Sequence, residues 1–116
     1  MPDLDILRQL AHDVGADTAL KLLGIFQADA DKRVAAIGDY LQNDGDVADL
    51  RIQAHSLKGL CNTYGAVDGG EAAKVLQEAC EQGDIADIHA KAQTAFDTIS
   101  QDITATLKAA EMLKGA

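Results

Sequence analysis

The chain has 116 residues, enough for one domain with its own core. Apolar residues make up 47% of it but aromatics only 3%, with no tryptophan. The core must therefore be built from Leu, Ile, Val and Ala, which suits closely packed helices. Nineteen acidic residues against 10 basic ones give a net charge of −9, which disfavours nucleic-acid backbones and anionic membrane surfaces as partners.

The start, Met1-Pro2-Asp3-Leu4-Asp5, lacks the basic residues and apolar run of a signal peptide, and no segment reaches the length of a membrane span. A soluble cytoplasmic protein is the expectation. Asp3 can cap a short helix over 4–13 through Leu4, Ile6, Leu7 and Leu10, ending near Val14 and Gly15 and forming a lid over one end of a bundle. Asp17 then opens a long helix over 17–43, whose stripe Leu20, Leu23, Phe26, Ala30, Val34, Ile37 and Leu41 steps by threes and fours. Gln27 falls within that stripe and reads as a half-buried amide. In Asn43-Asp44-Gly45-Asp46, Gly45 suits the left-handed position after the helix and Asp46 the next N-cap.

The third helix, expected over 46–64, has the cleanest pattern in the chain: Val47, Leu50, Ala54, Leu57, Cys61 and Tyr64. Asp68-Gly69-Gly70-Glu71 has capping-box spacing and should start a fourth helix over 68–82, with Ala72, Val75, Leu76 and Ala79 inward and Gly83 as its stop. Asp84 begins a fifth over 84–113, through Ile88, Ala92, Phe96, Ile99, Ile103, Leu107 and Ala110, fraying at Lys114, Gly115 and Ala116. With no strand pattern in competition, the expected fold is all-α. It is an antiparallel up-down-up-down four-helix bundle with a short N-terminal capping helix, in a single domain over 1–116. Cys61 and Cys80 fall on consecutive antiparallel helices about 13 Å out of register. That is too far for a disulfide, so buried, reduced thiols are expected.

Opposite the core stripe of the third helix lies a strip of Ile52, His55, Gly59 and Asn62, flanked by Arg51 and Lys58. His55 is expected to face solvent, where a neutral imidazole can act as a nucleophile near pH 7. Lys58 stands one turn on; its attraction for a phosphoryl group carried on His55 would be about 1 kcal/mol after screening. Gly59 costs about 1 kcal/mol relative to alanine on an exposed helix, and a reason to accept that is room for a partner beside His55. Ile52 offers the same partner an apolar contact. A His-x-x-Lys pair alone arises freely on polar helix faces. It is the composite of His55, Lys58 and Gly59 opposite so clean a core stripe that points to function.

Ala54-His55-Ser56-Leu57-Lys58-Gly59 followed by Gly65-Ala66 resembles the signature of histidine phosphotransfer (HPt) domains, which carry a phosphoryl group between receiver-domain aspartates. The resemblance covers most of the chain, including the Phe26 region and the run from Leu76 to Gly83-Asp84. It implies that His55 is phosphorylated, that Lys58 stabilises the phosphoryl group, that Gly59 permits close docking and that Gly65 sets the turn. It also implies response-regulator receiver domains and a hybrid sensor kinase as candidate partners, and Mg²⁺ in the receiver with no cofactor held by this chain. Three positions depart from the family pattern: Leu60 stands where a small residue is usual, Gly69 where leucine is common, and Gln77 in place of a frequent glutamate. None of them is expected to touch the chemistry.

No G-x-x-x-x-G-K-[ST] loop is present, so ATP binding and autonomous kinase activity are not expected. His12 and His89 read as polar-face residues. No Glu-x-x-His pairs for a di-iron bundle and no ligand set for haem or zinc occur, and a monomer is expected. The competing class is a non-catalytic helical module that docks a receiver without exchanging phosphate. Docking alone needs neither a nucleophile nor a cation beside it.

Overall fold

Five helices account for nearly all of residues 2–115, the part of the chain that the computed structural model describes: α1 (Leu4–Val14), α2 (Ala16–Asn43), α3 (Val47–Thr63), α4 (Val67–Gln82) and α5 (Ile85–Gly115). No strand occurs among the described residues. Met1 and Ala116, on which part of the start and fraying expectations fall, lie outside them. No helix of the described residues is long and apolar enough to cross a membrane.

The helices form a ring of contacts in which α3 packs on α4, α4 on α5, and α2 closes the ring against both α5 and α3. Inside it, Leu23, Phe26, Ile37, Leu57, Leu76, Ile88 and Ile99 are fully buried. The α3 stripe lies where periodicity puts it, with Leu50, Ala54, Leu57 and Cys61 buried and Val47 and Tyr64 packed at its ends. Phe26 of α2 stacks on Tyr64, ring centroids 4.9 Å apart. α1 buries only Leu7 of its apolar face and lies against α2 and α5. Asp3 caps it through the amides of Asp5 and Ile6, and the Asp3 amide donates to the Gly65 carbonyl at 2.7 Å, tying α1 to the α3–α4 turn.

Several local expectations give way. α2 starts at Ala16 behind Gly15, which serves as C-cap of α1 as well; Asp17 sits in the first turn and pairs with Lys114 at 3.0 Å. At the other end the positive φ belongs to Asp44 (54°), not Gly45. With ψ −177° the residue lies outside the left-handed helical region, in a conformation that side chains other than glycine rarely adopt; its carboxylate is held by His89 Nε2 at 2.6 Å, while the His89 ring lies over Tyr40. Gln27 is exposed, because the α2 stripe runs through Phe26 and Ala30 on either side of it.

α4 departs furthest. Its N-cap is Ala66, with no side-chain cap, so the Asp68 capping box does not form. Instead Asp102 of α5, buried at 4% exposure, accepts from the Gly69 amide at 2.9 Å. A neighbouring helix thus satisfies an amide that the first turn leaves open. The buried face is also rotated, to Gly69, Gly70, Ala73, Leu76, Ala79 and Cys80. A Cβ on Gly69 would come within 3.2 Å of Cys61 Sγ and 3.5 Å of Asp102 Oδ2. Both cysteines are free and buried. Desolvation, with a smaller push from Asp102, raises the Cys61 thiol to about 12.

Candidate functional site

α3 is anchored from both flanks. On the α2 side, Arg33 Nη1 donates to Gln53 Oε1 at 3.1 Å while its Nε holds Asp29 at 3.2 Å. On the α4 side, Arg51 pairs with Glu81 at 3.9 Å. A helix whose apolar face is fully buried and whose flanks are tied in this way presents its outward side chains in a fixed order.

His55 is exposed on that outward side. Its Nδ1 lies 3.3 Å from the Gln77 side-chain oxygen on α4. A carbonyl oxygen can only accept, so this contact requires the hydrogen on Nδ1 and leaves the Nε2 lone pair free. Gln77 therefore does touch the imidazole, against the expectation that it is remote from it. The family resemblance singles out Gln77 as a departure, but its contact with His55 depends on the register between two helices and on no motif within one.

Ile52 is 51% exposed one turn before His55 on the same face. Lys58 is half-buried and Gly59 exposed. A Cβ at Gly59 would meet nothing within 4 Å, so the packing of this chain gives no reason for a glycine there. The Gly59 carbonyl accepts from the Thr63 hydroxyl at 2.8 Å, a bond made inside the last turn of α3. Asn62 is exposed, with its amide against Gly70. Arg51 is half-buried and engaged by Glu81, so a partner would meet it as an ion pair. Gly65 has φ 84°, and a Cβ there would come within 3.0 Å of the Asp3 carbonyl; both facts call for glycine at this turn. Leu60 is half-buried and packs against the core.

The two other histidines lie elsewhere. His12 is exposed in the last turn of α1, and His89 is the partner of Asp44. An apolar hollow of about 350 Å³ between α1, α2 and α5, lined by Leu7, Leu20, Leu23 and Leu113, shares no residue with the His55 face. Among the described residues no group of three or more His, Cys, Asp or Glu could hold a metal ion. The arrangement around His55 is an exposed imidazole on the outward face of α3, in contact with Gln77 through Nδ1 and with a cation one turn away, and such a group can act as a nucleophile.

A protein-family model described as Hpt domain matches residues 21–112, most of the chain. No curated protein and no solved structure matches it.

Proposed function

Since the chain belongs to the Hpt domain family, we propose that it is a phosphocarrier that takes and returns a phosphoryl group at His55. The observation that carries this reading is the exposed imidazole whose Nδ1 is held by Gln77 and whose Nε2 has no hydrogen-bond partner among the described residues. In the forward step the Nε2 lone pair attacks the phosphorus of a receiver's aspartyl phosphate. The P–O bond to the carboxylate breaks, the aspartate leaves with that electron pair, and Nδ1 keeps its proton against Gln77. Reversal passes the group to another receiver. Positioning carries most of the catalysis, because an in-line approach of two docked proteins replaces a bimolecular encounter.

In this reading Lys58 compensates the charge gained on phosphorylation, Ile52 and Asn62 contribute to docking beside the Arg51–Glu81 pair, and Gly59 leaves the receiver room. The receiver supplies the aspartate and its Mg²⁺. The contacts of Asp17 with Lys114 and of Asp44 with His89 support an up-down-up-down order for α2 to α5, capped by α1 in a single cytoplasmic domain that acts as a monomer.

His55→Gln is the test. Incubated with a phosphorylated receiver, wild type should acquire an acid-labile, alkali-stable label, and the variant, with an unchanged circular dichroism spectrum, should acquire none. Equal labelling of both would remove His55 from the reaction.

A further inference from the structure

Where α3 faces α4, three pairs of positions fix the register. Arg51 meets Glu81, His55 meets Gln77, and Asn62 lies against Gly70, where an added Cβ would collide with its side-chain oxygen. Going down α3 these positions are separated by four and then seven residues, and going back along α4 by the same four and seven. The missing row, three residues beyond His55 and three before Gln77, is Lys58 opposite Lys74. Every other row joins groups that attract or fit. By register this one sets two lysines in the same row, like charges whose proximity is mildly unfavourable by itself. Lys58 is half-buried and Lys74 exposed, and among the described residues no carboxylate forms an ion pair with either.

An anion between them turns the repulsion into attraction. A phosphoryl group brings a charge of about −1.5 to −2 at neutral pH, more than one lysine balances. The Lys58–Lys74 row lies only about 4.5 Å along the helix axis from the His55–Gln77 row. The tilt of helical Cα–Cβ bonds toward the N-terminus directs Lys58 back along α3 toward His55. Lys74 must fold its stem across one row, which a flexible four-carbon side chain on an exposed face does freely. In the unphosphorylated chain Glu71 and Glu78, one turn to either side on α4, compete for Lys74; the phosphoryl group is the stronger anion.

We propose that Lys74 is a second cation of the phosphoryl site, closing on phosphorylated His55 from α4 as Lys58 does from α3. This rests on His55 being the acceptor, so the experiment separates the two. Potassium phosphoramidate serves as donor, without any receiver: the Nε2–P bond forms as the P–N bond of the donor breaks and ammonia leaves. The ³¹P resonance of the product is then followed against pH in wild type, Lys74→Gln, Lys74→Glu and Lys74→Arg. A nearby cation favours the more highly charged phosphoryl form. The titration midpoint should therefore move to higher pH in Lys74→Gln, move further in Lys74→Glu and stay near wild type in Lys74→Arg. Loading should slow about two- to fivefold in Lys74→Gln, the range of a screened exposed pair. Thermal unfolding should stay near wild type in Lys74→Gln and Lys74→Arg, as befits an exposed side chain, and fall slightly in Lys74→Glu, which sets a third carboxylate between Glu71 and Glu78. A Lys74→Glu titration superimposable on wild type overturns the role of Lys74 and leaves His55 standing. Loading that persists in His55→Gln overturns the acceptor, and the role of Lys74 with it.

Discussion

The interface of α3 with α4 is built in two ways along its length. Between Arg51 and His55 the helices meet through long polar side chains, Glu81 and Gln77, and the row is open to solvent. Between Cys61 and Gly69 they meet with almost no side chain at all, and the carboxylate of Asp102 reaches in from α5 to hold the Gly69 amide. The closed end fixes the spacing and register of the pair. The open end uses that register to set Gln77 against the imidazole. Close packing and the proposed chemistry thus occupy different ends of one interface, and each can be perturbed separately.

Asp102→Ala should have the largest effect on stability. It removes a charge-assisted bond and leaves the Gly69 amide buried without its acceptor, at about 2–3 kcal/mol. Urea unfolding followed by circular dichroism measures the loss. His55 in the remaining folded molecules should still load from phosphoramidate at the wild-type rate. A stability equal to wild type would mean that the closed end is held by something other than Asp102.

Gly69→Leu comes next, at about 1–3 kcal/mol from overpacking. Its Cβ alone would press on Cys61, Asp102 and the Ile99 backbone, two of these parts of the rigid core. Gly70→Ala offers the contrast, because its clash is with Asn62, an exposed side chain that can swing away. If Gly69→Leu proved as mild as Gly70→Ala in the same urea titration, the close approach of the helices would not be what the glycine secures.

Legibility in the sequence follows the same division. The α3 stripe could be read because large aliphatic side chains recur on one face and polar ones on the other. α4 was harder, because Ala72, Ala73, Val75 and Leu76 are apolar on two adjacent faces, and Gly69 and Gly70 carry no side chain to reveal that their side is buried. Asp102 and Thr106 were missed on α5, since both are buried polar residues in positions that periodicity assigns by hydrophobicity. Asp102 is explained by the amide it caps. Among the described residues Thr106 Oγ1 has no hydrogen-bond partner, and nothing in the packing accounts for a hydroxyl there. In the candidate site, His55 and its exposure followed from helical rotation within α3. Gln77 and Lys74 required the α3–α4 register, which no single-helix pattern carries.

The smallest effect on the fold is expected at Gly59, and there the sign is informative. With nothing within 4 Å of a Cβ and the position in the interior of α3, Gly59→Ala should stabilise the chain by up to about 1 kcal/mol through helix propensity alone. Loading from phosphoramidate, a donor too small to need the vacated surface, should be unaffected. Transfer from a phosphorylated receiver should slow, and slow further in Gly59→Glu, where bulk and negative charge both meet the docking protein. A residue that lowers stability and assists transfer belongs to the partner's surface as much as to this one. Normal receiver transfer in Gly59→Glu, measured against wild type under single-turnover conditions, would show that the missing side chain serves no docking protein. The open end of the interface would then owe its reactivity to His55, Gln77 and the two lysines alone.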